Sequence, residues 1–393
     1  MNPPPLDQAP AAGRGEAAVL EAADFQALLE AIQRRGYRTV GPTLRHGHFV
    51  YDEIITVSDL PRGLTDEQEA GTFRLKERDD PALFGYGVGQ QSWKQFLFPP
   101  RQLLWQASRQ GTGFSIVPTA EEVLRYAFIG VHACDLHALA VLDRVFLKGP
   151  YVDAAYQRRR TGAFILTASC TQVCGTGFCA SLGTGPQAKA GFDLALTEVL
   201  KGGRHFFLVE VGTSRGAEIL AEVPHKTAAL AETAAALDLV AQAAMSMGRS
   251  IDPTGLKDLL YRSYEHPRWD DVATRCLTCG NCTLVCPTCF CHTTEDLADL
   301  TGTQAERRRR LDSCFNVEFS YLHGGSVRTY AASRYRQWLT HKLATWQDQF
   351  GFLGCVGCGR CLTWCPVAID ITAEVRAIRE SDPLRQEEHH GKP

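Results

Sequence analysis

Two cysteine runs with the same spacing lie in the C-terminal half of the chain, and each is followed at once by proline. They are Cys276-x2-Cys279-x2-Cys282-x3-Cys286-Pro287 and Cys355-x2-Cys358-x2-Cys361-x3-Cys365-Pro366. This spacing is typical of chains that hold cubane iron–sulfur clusters, which transfer single electrons. In two-cluster ferredoxins, three thiolates of one run bind one cluster and the fourth binds the other. Each run therefore needs its partner, and the pattern predicts two neighbouring [4Fe-4S] clusters.

The crossed-ligand rule divides these cysteines into two predicted ligand sets. Cluster one would take Cys276, Cys279, Cys282 and Cys365. Cluster two would take Cys355, Cys358, Cys361 and Cys286. A zinc site would use two C-x2-C pairs and leave half of each run without a role. Disulfides would require an oxidising compartment, and nothing in the sequence indicates one.

Composition narrows the class of protein. At 393 residues the chain is long enough for two domains. Its 45% hydrophobic and 22% charged residues are those of an ordinary soluble globular protein, and its net charge of −3 offers no attraction to nucleic acid or to an anionic membrane. The N-terminus has no basic region followed by an apolar run, and no stretch approaches the roughly 18 apolar residues of a membrane span. We therefore expect a cytoplasmic protein with no nucleic-acid partner and no membrane span.

The chain divides into four predicted segments. Residues 1–23 are rich in Pro, Ala and Gly and are predicted to be a disordered leader. An α/β (α+β) domain with a partly parallel sheet is predicted over residues 24–248, followed by an α-helical ferredoxin-type domain with two clusters over residues 249–377. Residues 378–393 are predicted to be a flexible tail. Within the first domain, residues 62–120 are predicted to be irregular because they are rich in Gly, Pro and aromatic residues.

A strand–helix–strand unit is predicted in the middle of the first domain. Tyr126–Val131 has the pattern of a buried strand, and Asp135 can cap the helix that follows. A second strand over Ala163–Ala168 ends just before Cys170. Such units make parallel strands with a right-handed crossover. Cys134 and Cys170 would then emerge at the same carboxyl edge of the sheet, where open α/β sheets place their ligands.

Two further cysteines follow Cys170 closely. Cys174 and Cys179 lie in a glycine-rich segment, whose backbone can approach a bulky inorganic core and donate N–H groups to it. With Cys134 they bring four thiols to one sheet edge, which predicts a third cluster. The alternative is that some of them are buried free thiols, a common state of cysteine.

A long spacer separates Cys286 from Cys355. Helices are predicted around Thr303–Leu311 and Ser333–Phe350, and a helical spacer resembles the α-helical ferredoxin domains of respiratory and heterodisulfide-type reductase subunits. The run Arg307–Arg310 is interpreted as a solvated face, or alternatively as charge that offsets a cluster or a docking partner. Three cysteines fit no complete ligand pattern and are interpreted as packing around the clusters or as thiol-to-sulfide contacts: Cys289, Cys291 and Cys314.

Six motifs together resemble one family and span most of the chain. They are GVHACDLHALAVLDRVFL, YDEI at Tyr51–Ile54, SWKQFLFPPR at Ser92–Arg101, HPRWD, CPTCFC and CVGCGRC. Their combination is similar to the beta subunit of cytosolic sulfhydrogenases, the NAD(P)-linked [NiFe] hydrogenases. The related A subunit of anaerobic sulfite reductase shares much of this pattern.

The resemblance implies an electron-transfer subunit of an oxidoreductase complex, with no catalytic site of its own. Its partners would be a flavin subunit that handles NAD(P)H and the small and large subunits of the hydrogenase. The resemblance also supports a third cluster on Cys134, Cys170 and Cys179. Where the family usually has Cys-Phe-Cys, however, this chain has a glycine, Gly177, in place of the first cysteine. Either Cys174 supplies the missing ligand, or the third cluster is altered or absent.

Two alternative functions stay open on the sequence. The same relay would suit a sirohaem sulfite reductase, whose A subunit shares the motifs. In the other alternative the N-terminal domain binds FAD and is itself a reductase. That hypothesis rests on the aromatic-rich segment around Trp93-Lys94 and on a distant likeness to flavin-binding coenzyme-reducing subunits.

Overall fold

The largest sheet of the molecule has eight strands and mixes parallel with antiparallel pairs. The computed structural model describes residues 17–118 and 124–383. The strands in these ranges are β1 (Ala18–Glu21), β2 (Arg38–Arg45), β3 (His48–Glu53), β4 (Leu64–Glu69), β5 (Thr72–Glu77), β6 (Arg101–Gln110), β7 (Gly113–Pro118), β8 (Tyr126–Val131), β9 (Phe164–Ser169), β10 (Leu194–Lys201), β11 (Arg204–Val211), β12 (Lys226–Thr227), β13 (His292–Ala298), β14 (Gln304–Leu311), β15 (Tyr321–Leu322) and β16 (Gly325–Ser326). The helices are α1 (Phe25–Arg34), α2 (Lys94–Leu97), α3 (Ala133–Leu147), α4 (Ala154–Gly162), α5 (Ser214–Leu220), α6 (Leu230–Met245), α7 (Leu256–Arg262), α8 (Arg268–Arg275), α9 (Asn281–Leu284), α10 (Ala331–Thr340), α11 (Trp346–Phe350), α12 (Arg360–Thr363) and α13 (Ile371–Glu380).

The eight strands follow the order β12-β1-β11-β10-β9-β8-β2-β3. The central pairs β2–β8, β8–β9 and β9–β10 are parallel, and the outer pairs are antiparallel. Side chains of α1 and α5 pack on one face of the central strands, and side chains of α3 and α4 pack on the other. Strands covered on both faces are buried along nearly their whole length and are rich in apolar residues, as β8 and β9 are. The predicted α/β architecture with a partly parallel sheet is confirmed.

The predicted strand–helix–strand unit is formed by β8, α3 and β9. The two strands pair in parallel, with Ala127 opposite Phe164. Helix α3 begins at Ala133, and His132 is its N-cap residue. The capping role predicted for Asp135 is therefore wrong. Asp135 lies in the first turn of α3, where its carboxylate binds the side chain of Arg360.

A second sheet contains four strands in the order β13-β14-β6-β7, so it joins strands from both sides of the predicted domain boundary. β6 and β7 lie in the stretch predicted to be irregular, and so does the hairpin of β4 and β5. That prediction is wrong, because strand pairing uses many of the residues between 62 and 120. The aromatic and glycine content reflects the turns and core contacts of these hairpins.

The run of arginines lies on β14, so the helix predicted around Thr303–Leu311 is also wrong. Arg307 and Arg310 form ion pairs with carboxylates of the neighbouring strand β13. Arg309 is buried, and its guanidinium binds Asp153 at 2.6 Å. The four arginines show no repeating pattern of apolar residues from which a helix or a strand could be predicted. Ion pairs with the neighbouring strand stabilise the strand conformation here.

Both ends of the described chain are more ordered than predicted. β1 pairs with β11 and buries Val19 and Leu20, so the predicted leader is structured from Ala18 onward. Residues 1–16 lie outside the described ranges. α13 continues to Glu380, and Asp382 is buried where it binds an arginine of α7. The remainder of the predicted tail, residues 384–393, lies outside the described ranges.

The C-terminal part is built around α7, α8, α10 and α13. Trp269 of α8 packs with Tyr335 and Trp338 of α10 in one apolar core. The helix predicted over Ser333–Phe350 is confirmed as α10 and α11, which are joined by a π-helical turn at His341–Thr345. No helix in the described ranges is both long and apolar enough to cross a membrane.

Gly130 directs the end of β8 toward the predicted third site. It has a φ of +81°, and the pairing of β8 with β9 shifts register between Ile129 and Val131. An added Cβ would lie 2.8 Å from Cε1 of Phe84. Such a bulge bends a strand and redirects the residues that follow it, which here begin with His132.

We expect Gly130→Ala to lower the free energy of unfolding by about 1–3 kcal/mol, because an unfavourable φ is combined with a clash. Chemical denaturation followed by tryptophan fluorescence measures the change. Gly113→Ala is the matched control, since its added Cβ would have its nearest neighbour at 4.0 Å. The control should change stability by less than about 0.5 kcal/mol. Equal effects of the two substitutions would contradict this role of Gly130.

Candidate metal centres

The predicted ligands of cluster one surround a single cavity, which we call cavity one. It encloses about 480 Å³ of empty space, part of it open to solvent. Its wall contains Cys276, Cys279, Cys282 and Cys365, and also Cys361. Asn281 of α9 donates a hydrogen bond to the carbonyl of Trp364, the residue before Cys365. This contact holds the first run against the end of the second.

Backbone N–H groups point at two sulfurs of cavity one. Thr278 N donates to Sγ of Cys276 at 3.4 Å, and Ile369 N donates to Sγ of Cys365 at 3.3 Å. Hydrogen bonds to ligand sulfurs are among the contacts that set cluster potentials. The remaining wall is mainly aromatic and aliphatic. Cys279 is exposed, so cavity one has an edge at the surface.

The predicted ligands of cluster two lie together in the interior. Burial raises the pKa of Cys355, Cys358 and Cys361, and the neighbouring charge of Cys286 adds to the effect on each. For Cys355 the pKa reaches about 12. Cys286 therefore lies beside the second run, as the crossed rule requires. Because metals bind the thiolate, loading this site must release protons.

Two buried lysines flank Cys286. A thiol hydrogen bond with Cys289 lowers the pKa of Cys286, and the ammonium of Lys342, 3.1 Å from its Sγ, acts in the same direction. The hydroxyl of Thr288 lies 3.2 Å from the same sulfur. Lys94 Nζ donates to the carbonyl oxygens of Cys286 and Cys289 at 2.9 and 2.8 Å. Local patterns did not indicate either lysine, since both reach the site from distant elements.

The four cysteines of the predicted third site line one further cavity, which we call cavity three. Its empty space is about 300 Å³. Its wall contains Cys134, Cys170, Cys174 and Cys179, together with His132 and Cys358. Cys134 lies in the first turn of α3 and Cys170 directly follows β9, so the carboxyl ends of two parallel strands supply half of the thiols. Burial raises the pKa of Cys174 to about 11.

Cys174 occupies the space beside Gly177. A Cβ added at Gly177 would lie 3.0 Å from Sγ of Cys174 and 3.3 Å from its carbonyl oxygen. A cysteine at position 177 and the thiol of Cys174 would therefore compete for nearly the same volume. The thiol of Cys174 therefore lies where a side chain at position 177 would project.

His132 is a site residue that the sequence did not reveal. It is buried, and among the described residues its Nδ1 has no hydrogen-bond partner. Burial lowers its pKa to about 4, so the imidazole is neutral near pH 7. An orphaned ring nitrogen in a wall of four thiols fits a cavity whose occupant can accept a hydrogen bond.

The second thiol set lies between the other two. Cys358 belongs to the set predicted for cluster two and also lines cavity three. Cys361 belongs to the same set and also lines cavity one. The three thiol groups therefore form a row, with the second set in the middle.

A buried ion pair connects the middle set with the third. Arg360 stands between Cys358 and Cys361, and its guanidinium binds the carboxylate of Asp135 through two hydrogen bonds of 2.8 and 3.0 Å. Both side chains are almost completely buried, at 0% and 2% exposure. Arg360 Nε also donates to the carbonyl oxygen of Gly89 at 3.0 Å.

The three cysteines outside the ligand patterns pack beside the middle set. Cys289 contacts Cys286 through its thiol, and Cys291 contacts Cys314. The hydrogen bond from Cys314 lowers the pKa of Cys291 to about 7. These contacts agree with the interpretation of the three residues as packing around the clusters.

The aromatic segment that motivated the flavin hypothesis is used for packing. Trp93 is buried, and its ring stacks on that of Tyr51 at 4.0 Å and is tilted against that of Phe128 at 5.1 Å. Lys94 donates to the carbonyl oxygen of Cys286, the last cysteine of the first run, and to that of Cys289. The segment therefore connects the large sheet with the middle thiol set.

The thiols suit a multi-atom cluster better than a single ion. Among the described residues, no three Cys, His, Asp or Glu side chains converge at the spacing of one metal ion. In a cubane each ligand sulfur binds a different iron, so its ligands surround a body of eight atoms. Four thiols around a cavity are the arrangement that such a body requires.

Comparison with known proteins agrees with this geometry. Residues 275–369 match the model of the 4Fe-4S dicluster domain family, so the C-terminal part holds [4Fe-4S] clusters. The chain is 33% identical over 292 residues to sulfhydrogenase 2 subunit beta of Pyrococcus furiosus. That match covers 73% of this chain and 82% of the relative. The similarity therefore extends well beyond the cluster domain.

We expect Asp135→Asn to lower the free energy of unfolding by about 3–5 kcal/mol, because it leaves Arg360 as an unpaired buried charge. Replacing both partners with apolar residues, in Asp135→Leu/Arg360→Met, should recover much of the loss. Glu53→Gln, which removes an exposed ion pair with Arg38, is the control and should have little effect. Chemical denaturation measures all three variants. A double variant less stable than Asp135→Asn would contradict this account.

Proposed function

Because this chain belongs to the family of sulfhydrogenase beta subunits, we propose that it is the electron relay of an NAD(P)-linked [NiFe] hydrogenase. It passes single electrons between a flavin subunit that handles NAD(P)H and the small and large hydrogenase subunits. The row of three thiol groups is the observation that carries the proposal. A row of one-electron centres conducts without a catalytic residue of its own.

We assign one [4Fe-4S] cluster to each thiol group. The first is held by Cys276, Cys279, Cys282 and Cys365, the second by Cys355, Cys358, Cys361 and Cys286, and the third by Cys134, Cys170, Cys174 and Cys179. When bound, each cluster supplies a one-electron couple. The chain itself provides the thiolates, excludes water with apolar walls, and directs N–H groups such as those of Thr278 and Ile369 at the sulfurs.

Cys174 is the proposed replacement for the cysteine missing at position 177. Its sulfur lies where a side chain at Gly177 would project, and it shares cavity three with the other three thiols. The alternative of an absent third cluster would leave four thiols and an orphaned imidazole nitrogen around a cavity with no ligand. Buried polar groups are rarely left without partners.

Iron counting tests the third site. The wild type should contain about twelve irons, as three four-iron clusters, and Cys174→Ser should contain about eight. The double variant Cys174→Ser/Gly177→Cys should regain about twelve, because the new thiol enters the vacated space. Cys314→Ser is the matched control and should keep the wild-type count. Iron and acid-labile sulfide are measured on anaerobically purified protein, and an unchanged count in Cys174→Ser would refute the assignment.

The hydrogenase is preferred over the sulfite reductase as partner because the chain is similar to a sulfhydrogenase subunit over most of its length. The flavin hypothesis is less well supported, since Trp93 and Lys94 are engaged in packing and in contacts to the cysteine runs. In the proposed relay, FAD belongs to a partner subunit. The exposed Cys279 marks cavity one as one terminal of the row.

The composition of the native complex distinguishes the candidates. Affinity purification of this chain from its source, under anaerobic conditions, should yield nickel, flavin and hydrogen-dependent reduction of NAD(P)⁺. A sirohaem absorption band without nickel would establish the sulfite reductase instead. A flavin that stays with this chain after its partners are removed would favour the reductase hypothesis.

A further inference from the structure

The middle thiol set has two buried cations in contact with one of its ligand residues. Lys342 is 5% exposed and donates to Sγ of Cys286 at 3.1 Å. Lys94 is 4% exposed and donates to two carbonyl oxygens, those of Cys286 and Cys289. Both ammonium groups thus meet the same short segment from opposite parts of the fold, one from α2 and one from the π-helical turn.

Neither lysine has a carboxylate partner in the described parts of the chain. The groups that accept their hydrogen bonds are a sulfur, a hydroxyl and backbone carbonyls. Two other buried cations near the row bind oxygen atoms instead of a thiol. Arg360 is neutralised by Asp135, and Arg334 of α10, the helix that also supplies Tyr335 and Trp338 to the wall of cavity one, donates to backbone carbonyl oxygens at 2.9 Å.

Two unpaired ammonium groups in a protein interior are costly unless negative charge lies nearby. Four thiolates around an oxidised [4Fe-4S] core carry a net charge of about −2, and reduction adds one more negative charge. The two positive charges of the lysines equal in magnitude the net charge of about −2 of the oxidised cluster with its thiolates. Among the described residues, a hydrogen bond from a lysine or arginine side chain to a ligand sulfur occurs at the middle site and not at the other two.

The backbone around Lys342 is shaped for this contact. The residue lies in the π-helical turn between α10 and α11, a type of turn often found at functional sites. Its carbonyl accepts a hydrogen bond of 2.8 Å from Gly354 N, just before Cys355. Thr288, which also receives a hydrogen bond from Lys342, donates to the carbonyl oxygen of Gly354 at 2.8 Å. One residue thus contacts both chain segments that supply ligands to the middle site.

We propose that Lys94 and Lys342 are the counter-charges of the second cluster and make it the most easily reduced of the three. The proposal rests on the cluster assignment above and adds which of the three clusters has the highest reduction potential. Because the second cluster has the highest reduction potential, a single electron that enters the row is found mainly on that cluster. The terminal clusters then exchange electrons with the partners.

The test is a redox titration monitored by EPR on the full-length, cluster-loaded protein. The second cluster is identified as the signal that changes in Cys355→Ser. In Lys342→Met, the ratio of reduced to oxidised second cluster at a fixed potential should fall at least tenfold, which is a shift of about −59 mV for one electron. Lys94→Met should shift the same signal in the same direction. Lys342→Arg should stay close to wild type, and Lys257→Met, which removes an exposed lysine of α7, is the unaffected control.

The outcomes separate this proposal from the function on which it rests. Unchanged potentials in both Met variants, at full iron content, would overturn the counter-charge role and leave the relay intact. A wild type without clusters would overturn the relay itself. If Lys342→Met fails to load its cluster, Lys94→Met decides the question, and an unshifted signal there refutes the proposal.

Discussion

The ion pair between Arg360 and Asp135 is the contact on which the arrangement of the sites depends. Each partner directly neighbours a thiol, because Asp135 follows Cys134 and Arg360 stands between two cysteines of the second run. Burying two charges is expensive, and here two parallel hydrogen bonds and additional carbonyl acceptors offset that cost. The pair therefore fixes the distance between the large sheet and the cluster domain at the point where electrons would cross.

The protonation of the buried thiols and the charge of the buried lysines both depend on whether the clusters are bound. Burial holds most of the thiols protonated in the absence of metal, as the raised pKa of Cys355 and Cys174 shows. Cys286 and Cys291 are exceptions, because a thiol hydrogen bond lowers the pKa of each and the charge of Lys342 acts in the same direction. Cluster insertion therefore drives out protons and supplies the negative charge that the buried lysines need. Folding and metal loading are coupled through these side chains.

Sequence reasoning succeeded where chemistry is local and failed where it depends on distant partners. The spacing of the cysteine runs identified the dicluster domain, and the buried pattern of β8 and β9 placed Cys134 and Cys170 at one sheet edge. The strand at Arg307–Arg310 was mistaken for a helix, because its acidic partners lie on another strand. Lys342 and Arg360 were missed for the same reason, since each gains its role from a residue far away along the chain.

The second cysteine run takes part in the walls of all the sites described. Cys365 completes cavity one, Cys358 forms part of cavity three, and the middle set needs three thiols of this run. During synthesis, the thiols of the first cysteine run must therefore wait until residues 355–365 have left the ribosome. Assembly of the first two sites is in consequence a late event, and a chain that ends before Cys355 has neither of these two ligand sets complete.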